Sequence, residues 1–389
     1  MLGTEDLISR IRELYERNPA ASRVAESIRK LGKEVAESLG RPVKIMNFCG
    51  THEWTITHYG LRTLMPEEVE LIAGPGCPVC VTPGHYVEGL AELSFEGVTV
   101  LTYGDAYRLP ARRGSKYGSL AHARSEGGDV RVVYSFVDAI NLAKNRPSKE
   151  HVFFAVGFET TMPSTAYPLI AGAVPSNLYV LSAYRLTPPV MKYLLESVKD
   201  VVLDGIIAPG HVSAVIGVNA WSFIPEEYGI PTVVSGFEPL DVLLSIHAIL
   251  RMLKQGKPAL INEYARVATP EGNKQAKKAI TEAHDVVDAY WRGVGVIPKS
   301  GATLRKKYGK HDATTKYGIN AQPDFTDVMP GCKCGEVVLG KARPTDCPHF
   351  MKTCTPTKPY GPCMVSQEGT CRIWAENLPT LLEQLKRLL

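Results

Sequence analysis

The chain has 389 residues, 44% of them hydrophobic and 22% charged, and a formal net charge of +4 at pH 7. A chain of this length exceeds what one hydrophobic core usually organises, so we expect two or three domains. The basic residues clustered between 299 and 310 lack a binding motif or interleaved aromatic residues, so nucleic acid is not an expected partner. No segment approaches about eighteen consecutive apolar residues and the N-terminus has no apolar signal core, so we expect no membrane span and a cytoplasmic location.

The first 250 residues change from a helical pattern to alternating strands and helices. Residues 5–39 have the amphipathic pattern of one or two helices, closed by Gly40. Short apolar runs follow, each ending in a glycine or another small residue and leading into a helical stretch. The runs lie at 44–50, 69–76, 98–105, 130–136, 151–159, 178–185, 204–211 and 231–238. This alternation predicts an α/β fold in which parallel sheets are covered by helices on both faces.

An internal echo suggests that the α/β region is duplicated. LIAGPGCP, around Gly76, aligns with IIAPGHVS, around Gly210, and strand ends recur at matching distances on either side. After residue 255 the strand pattern fades into loops, a helical pattern in the second half of 262–295, and a final helix at 377–389. The predicted divisions are an N-terminal helical segment (1–40), two similar parallel-sheet α/β domains (41–145 and 146–255) and a loop-rich, partly helical, cysteine-rich domain (256–389).

Three of the nine cysteines fall at the ends of the first two predicted strands. Cys49 precedes a helical stretch that contains His52 and Glu53. Ligands collect at the carboxyl ends of parallel strands, and a helix N-terminus favours a thiolate, although Cys49 alone would also suit a small buried position. Cys77 and Cys80 form a C-x-x-C, which suits a reversible disulfide or half of a metal site. Three thiolates with an imidazole would suit a soft transition metal such as ferrous iron.

Other polar residues also follow predicted strands. They are Asp105, Glu159, Thr160, Thr161, His211, Ser213, Glu238 and Asp241. Together these residues could complete the site around Cys49 in a cleft between the domains, although each by itself is most simply a helix cap or a satisfied surface group. No phosphate-binding or dinucleotide-binding glycine loop occurs, so nucleotide binding is not expected.

The remaining six cysteines lie within the last sixty residues, on backbone rich in glycine and proline. They are Cys332, Cys334, Cys347, Cys354, Cys363 and Cys371. Three structural disulfides are disfavoured in a reducing compartment, and a zinc site usually has paired ligands two to four residues apart. A [4Fe–4S] cluster tolerates irregular spacing and would leave two cysteines as a redox pair. The spacing alone leaves these alternatives open.

Several motifs together resemble those of one known family. They are FCGTHE (48–53), GPGCPVC (74–80), GFETT (157–161), APGHVS (208–213), GFEPLD (236–241) and the six-cysteine tail. In this order they resemble the HypD family of [NiFe]-hydrogenase maturation factors, over nearly the whole chain from about residue 40. The resemblance implies two similar α/β domains and a third domain that carries a [4Fe–4S] cluster.

The resemblance also implies an assembly function. Members of this family form, with the small chaperone HypC, the scaffold on which an iron ion receives two cyanides and one carbon monoxide. Cyanide comes from HypE, with HypF acting upstream, and the finished unit passes to the hydrogenase large subunit. On this chain, Cys49 would anchor the iron together with a cysteine of HypC, and His52 and Glu53 would orient or deprotonate Cys49. Cys77 and Cys80 would be a redox pair near that iron.

The family's tail resembles ferredoxin:thioredoxin reductase, which implies roles for the six cysteines. The cluster ligands would be Cys332, Cys347, Cys354 and Cys371, with Cys363 as the alternative to Cys371, and the redox disulfide would be Cys334–Cys363. Two other functions compete with the scaffold. A cluster-dependent protein disulfide reductase would explain the tail and the C-x-x-C but not Cys49, and a zinc-stabilised binding module would have no redox role.

Overall fold

The computed structural model describes residues 20–198, 200–320 and 322–377. Its strands are β1 (Val43–Asn47), β2 (Val69–Ala73), β3 (Thr99–Thr102), β4 (Val130–Val132), β5 (His151–Gly157), β6 (Leu178–Arg185), β7 (Gly205–Pro209), β8 (Thr232–Ser235), β9 (Leu260–Asn262), β10 (His284–Trp291) and β11 (Gly295–Leu304). Each of the eight predicted apolar runs overlaps one of the strands β1–β8, so the prediction of an α/β fold is confirmed.

Helices follow most of the strands. They are α1 (Ala20–Leu39), α2 (Gly50–His58), α3 (Leu61–Leu64), α4 (Gly84–Leu93), α5 (Gly104–Tyr107), α6 (Leu120–Ser125), α7 (Phe136–Lys144), α8 (Met162–Ile170), α9 (Thr187–Ser197), α10 (Gly210–Ile216), α11 (Phe223–Tyr228), α12 (Pro239–Gln255), α13 (Lys274–Ala283), α14 (Ala313–Tyr317) and α15 (Cys334–Val338). Short 3₁₀ turns lie at Val79–Val81, Val218–Trp221, Lys306–His311, Phe325–Asp327, Pro344–Asp346 and Pro362–Met364, and residues 371–377 are helical.

The described residues divide into two compact units, each made of separate stretches of the chain. The first unit contains residues 20–76, 200–272 and 373–377. The second contains residues 77–198, 273–320 and 322–372. The chain therefore passes from one unit to the other between Gly76 and Cys77, and again near residues 199, 272 and 372.

The first unit is built on a five-stranded parallel sheet with the order β2-β1-β7-β8-β9. All five residues of β7 are buried, as expected for a strand covered on both faces. Helices α1 and α12 pack against each other, and their apolar side chains, such as Ile28 and Ile246, join Ile45 and Val233 of the strands in one core. The carboxyl ends of β1, β2, β7 and β8 therefore meet at one edge of this sheet.

The second unit is built on a six-stranded mixed sheet with the order β10-β11-β6-β5-β3-β4. Strands β3, β4, β5 and β6 are parallel, whereas β10 and β11 form an antiparallel hairpin that joins the edge of β6. Phe136, Phe153 and Tyr184 lie in its core. The hairpin brings part of the predicted cysteine-rich domain into this sheet, which the fading strand pattern after residue 255 did not indicate.

The division into units differs from the predicted linear boundaries at 145/146 and 255/256. The range 41–145 contributes β1 and β2 to the first sheet but β3 and β4 to the second, and 146–255 is split in the same way. The aligned strands β2 and β7 of the internal echo lie in the same sheet, on either side of β1. The echo therefore does not mark the two units as sequential copies.

At the N-terminus, α1 ends at Leu39 and Gly40 follows with φ +69°, as predicted for that helix end. The predicted helical residues 5–19 and the predicted final helix, beyond Asn377, lie outside the described residues. The helical pattern of 262–295 corresponds to α13 followed by β10. Among the described helices, none combines the length and apolar character needed to cross a membrane.

Candidate functional site

Cys49 lies at the carboxyl edge of the first sheet, two residues after the end of β1. It has extended backbone (φ −144°, ψ 131°) as the N-cap of α2, and it is half-buried. The amide of Gly50 donates to the carbonyl oxygen of Gly76 (3.3 Å), so the segment after β2 crosses very close to Cys49. A Cβ atom at residue 76 would lie 2.6 Å from the Cα of Cys49, and only glycine permits this approach.

His52, one turn into α2, is fully buried and points to the loop after β8. Its Nε2 lies 3.2 Å from the carbonyl oxygen of Ser235 and 2.9 Å from that of Gly236, so Nε2–H donates to backbone. The ring stacks on Phe237 at 4.6 Å. Burial lowers the pKa of His52 to about 4, so the imidazole is neutral near pH 7. Its buried Nδ1 has no hydrogen-bond partner among the described residues and is available as an acceptor.

Glu53 is buried beside His52, but its carboxylate is fully engaged. It accepts hydrogen bonds from Asn47 Nδ2 (3.0 Å), Thr57 Oγ1 (3.2 Å), the Arg62 guanidinium (2.8 and 2.9 Å) and Trp374 Nε1 (2.7 Å). These contacts hold α2 to β1, α3 and residue 374. A role for Glu53 or His52 in orienting or deprotonating Cys49 stays a prediction.

The loop that receives His52 is fixed by charged groups, and two of them, Glu263 and Arg266, were not singled out from the sequence. Gly236 N donates to Glu263 Oε2 (2.9 Å), and Asp241 accepts from Glu238 N (3.1 Å) and pairs with Arg266. Burial raises the pKa of Glu263 to about 7. Glu238 and Asp241 form a capping box at the start of α12, a local signature that was readable in the motif GFEPLD.

Two other predicted strand-end residues act as caps or crosslinks. Glu159, after β5, is buried and accepts from the amide of Thr187 (2.7 Å) at the start of α9, as expected of a helix cap. Burial raises its pKa to about 7. His211, at the start of α10, also stacks on Phe237, with ring centroids 3.9 Å apart.

The second unit contains the C-x-x-C. Cys77 and Cys80 form a disulfide, and both residues are buried. Cys80 lies in the 3₁₀ turn Val79–Val81, which contacts both α15 and the 3₁₀ turn Pro362–Met364. Because α15 begins at Cys334 and the second turn contains Cys363, three cysteine-bearing segments pack together within this unit.

The six tail cysteines gather in the same unit. Cys332 and Cys334 have their sulfurs 3.3 Å apart, and the sulfur of Cys363 accepts from the amide of Cys371 (3.3 Å). Hydrogen bonds from Cys334 and Cys371 hold the pKa of the Cys363 thiol well below its usual range, despite burial. Burial raises the pKa of Cys354.

Gly361 is a residue of this site that sequence reasoning missed. A Cβ atom at residue 361 would lie 2.6 Å from the sulfur of Cys334 and 2.7 Å from that of Cys332. Any side chain here would displace the two sulfurs. Its position in the run PYGPC gave no signal beyond that of an ordinary turn.

A small cavity lies among the tail cysteines. It is lined by Cys332, Cys334, Cys347, His349, Phe350, Cys354, Met364 and Cys371. All four predicted cluster ligands line it, while Cys363, the alternative fourth ligand, does not. Within the described ranges, no three His, Cys, Asp or Glu side chains converge as a single-ion site of the kind zinc requires. Thiolates are the ligands of iron–sulfur clusters, so this donor set is of the right chemical kind, and a cluster here stays a prediction.

Comparison with known proteins identifies relatives along almost the full chain. Residues 21–377 match the family model HypD, described as "Hydrogenase formation hypA family". The chain is 43% identical to a hydrogenase expression/formation protein of Methanocaldococcus jannaschii, over 90% of this chain and 96% of that protein. It is 41% identical to the hydrogenase maturation factor HypD of Rhodobacter capsulatus (91% and 95%) and 40% identical to that of Escherichia coli K12 (92% and 96%).

Proposed function

The chain belongs to the HypD family of hydrogenase maturation factors, and we propose that it is the scaffold, with HypC, on which the iron of a [NiFe] hydrogenase receives two cyanides and one carbon monoxide. HypE, supplied by HypF, is the proposed cyanide donor, and the hydrogenase large subunit is the recipient. Free thiols in such numbers suit the cytoplasm, where cysteines stay reduced.

Cys49 is the proposed anchor for the iron, which is the substrate here rather than a resident cofactor. It is half-buried at a strand end and at the start of a nine-residue helix, a position that stabilises negative charge on sulfur. A thiolate is a suitable donor to ferrous iron. The neutral His52 lies one turn away in the helix that Cys49 caps, and its unpartnered Nδ1 can accept a hydrogen bond.

The observation that carries the redox part of the proposal is the packing of the Cys80 turn against the segments that bear Cys334 and Cys363. One thiol of Cys334 and Cys363 attacks the Cys77–Cys80 disulfide and forms a mixed disulfide, which the second thiol then resolves. The products are a Cys334–Cys363 disulfide and two thiols at Cys77 and Cys80. Two electrons and two protons pass from one pair to the other, so the exchange balances.

Renewal of the Cys334–Cys363 dithiol requires two electrons and two protons from outside the chain. We propose a reduced iron–sulfur protein as the external donor and Cys332, Cys347, Cys354 and Cys371 as ligands of the resident [4Fe–4S] cluster. When bound, the cluster supplies single electrons. The four thiols line one cavity, and Gly361 leaves room for the neighbouring sulfurs.

Infrared spectroscopy tests the scaffold. The chain is isolated without oxygen from cells that also make HypC and is examined where bound cyanide and carbon monoxide stretch. We expect bands in the wild type and none in Cys49→Ala. Cys363→Ala is the matched control. It should lack the bands as isolated. It should regain them when a dithiol added to the cells reduces Cys77 and Cys80, because its iron anchor is intact.

A cluster-dependent protein disulfide reductase is the second candidate, because the same packing of cysteine segments would serve it. It predicts a brown, HypC-bound protein with cluster iron, no additional iron and no infrared bands. It also predicts that Cys49→Ala still reduces protein disulfides. A colourless protein that contains zinc and no sulfide would contradict both candidates.

A further inference from the structure

The turn of the β10–β11 hairpin, residues 292–294, lies between the two cysteine-bearing parts of the second unit. On one side, the amide of Arg292 donates to the carbonyl oxygen of Val81 (2.9 Å), the last residue of the turn that contains Cys80. On the other side, Gly293 packs against Gly335, the residue after Cys334. One short turn therefore contacts the residue that follows Cys80 and the residue that follows Cys334.

Arg292 fastens the hairpin turn to the segment that follows the disulfide. Its side chain is almost fully buried, and its guanidinium donates to the carbonyl oxygens of Asp327 (2.8 Å) and Pro110 (2.6 Å). Its Nε also lies 3.3 Å from Asp327 Oδ1. The same Oδ1 accepts from the amide of Gly84 (2.8 Å), where α4 begins. A buried ion pair with this many backbone contacts holds its surroundings in one arrangement.

The contact between Gly293 and Gly335 sets the distance between the hairpin turn and α15, the helix that begins at Cys334. A Cβ atom at residue 335 would overlap the carbonyl oxygen of Gly293, which is backbone and cannot rotate away. Residue 335 must therefore be glycine for α15 to approach the hairpin turn as closely as it does. A methyl group there would push Cys334 and the Cys80 turn apart.

We infer that the hairpin turn 292–294 is a positioning device that sets the distance between the Cys77–Cys80 disulfide and the Cys334/Cys363 pair, with Arg292 and Gly335 as positioning residues. This inference rests on the proposed function, in which those two pairs exchange electrons. Exchange requires sulfur atoms in contact and in line, and a displacement of about 1 Å at a reacting centre can slow a reaction by about 100-fold.

The test compares Gly335→Ala with Gly309→Ala in the full chain with its cluster. Residue 309 is the matched control, because a Cβ atom there meets nothing within 4 Å. Oxidised protein is mixed with dithionite as the one-electron donor, quenched with acid at intervals and alkylated, and mass spectrometry counts the free thiols at each pair. In Gly335→Ala, we expect thiols at Cys334 and Cys363 at the wild-type rate but thiols at Cys77 and Cys80 about 10- to 100-fold more slowly. Gly309→Ala should match the wild type.

A second measurement separates positioning from general damage. The midpoint potential of the Cys77–Cys80 couple is titrated in dithiothreitol buffers, and a positioning role leaves it unchanged while the transfer rate falls. Arg292→Lys is the second variant: it keeps the charge but loses the branched donor group, so it should also slow the transfer without moving the potential. It keeps the inference testable if Gly335→Ala does not fold.

Two results would overturn the inference: transfer at the wild-type rate in the folded variants, or slow transfer together with a shifted midpoint potential. A different result would overturn the proposed function instead. If wild-type protein gains thiols at Cys334 and Cys363 but never at Cys77 and Cys80, the exchange itself does not occur.

Discussion

Glu53 illustrates how a residue in a reactive-looking motif can have a structural task. Its buried carboxylate pairs with Arg62 and accepts from three further side chains. In Glu53→Gln, Arg62 loses its counter-charge and at least one donor faces an amide N–H. We expect the free energy of unfolding to fall by about 3 kcal/mol. Urea denaturation measures this, with the exposed Glu37→Gln as control. Equal midpoints for both variants would contradict the prediction.

His284 makes the stability of the second unit sensitive to acid. Its Nδ1 lies 3.3 Å from the carbonyl oxygen of Ile280, and its buried Nε2 has no partner within the described chain. Burial lowers its pKa to about 4, below the value of about 6.5 in an unfolded chain. Between these values the unfolded state binds the extra proton, so stability falls as the pH falls.

Replacement of His284 by glutamine should therefore reduce the pH dependence of unfolding. From pH 7 to pH 5, the His284 contribution to the loss of stability is roughly 2 kcal/mol, which His284→Gln should remove. Urea denaturation at the two pH values measures it. His122→Gln is the control, since that side chain is 48% exposed and should leave the dependence unchanged. A wild-type dependence in His284→Gln would show that His284 titrates normally.

At the scale of elements, the close crossing after β1 and β2 depends on Gly76. Alanine there would place a methyl group against the backbone of Cys49, so either the loop or α2 must shift. We expect Gly76→Ala to lose about 1–3 kcal/mol of stability and to change the alkylation rate of Cys49. Gly104→Ala is the control, because its Cβ would meet only Val132 at 3.9 Å. Unchanged stability and alkylation in Gly76→Ala would mean that the crossing is not tight.

The strands that the sequence predicted and those it missed differ in burial. Strands β5 and β7 are buried at every residue, so they appear as continuous apolar runs. Strand β10 is exposed at Asp285, Val286 and Asp288 and follows α13 without a break, so its pattern reads as part of a helix. Strand β9 has only three residues. For this reason the sequence pattern did not predict the hairpin that carries Arg292.

The candidate site was predictable where it is local in sequence. Cys49 caps the helix that contains His52 and Glu53, and Cys77 and Cys80 are three residues apart, so the sequence motifs already place each group together. The partners of these residues come from distant segments, such as Ser235–Phe237 for His52 and Trp374 for Glu53. Such contacts follow from strand order, which local pattern does not determine.

At the scale of the whole molecule, membership of the HypD family confirms the resemblance found in the motifs. The motifs did not reveal how the chain is shared between units. In a parallel sheet any later strand can pair with β1, and here β1 pairs with β2 on one side and with the distant β7 on the other. The similar ends of β2 and β7 reflect the same need for close backbone approach at one sheet edge.

Because each sheet takes its strands from separate stretches of the chain, we expect that linear fragments will not fold. A fragment of residues 41–145 contains two strands from each sheet and completes neither. We expect it to lack a cooperative urea transition by circular dichroism. A chain that joins 77–198 to 273–372 through a flexible linker contains all six strands of the second sheet and should unfold cooperatively. A cooperative transition in fragment 41–145 would contradict the division into units.

The pairing of β1 with β7 also has a consequence on the ribosome. Strand β1 ends at Asn47 and β7 begins at Gly205, so about 160 residues must be synthesised before the centre of the first sheet can close. At roughly 5–20 residues per second, this takes on the order of ten seconds or more. Throughout that time the nascent chain presents an apolar strand edge with no partner, and such edges promote aggregation. We therefore expect production of this protein in cells to depend on translation speed and on chaperones that bind extended apolar segments.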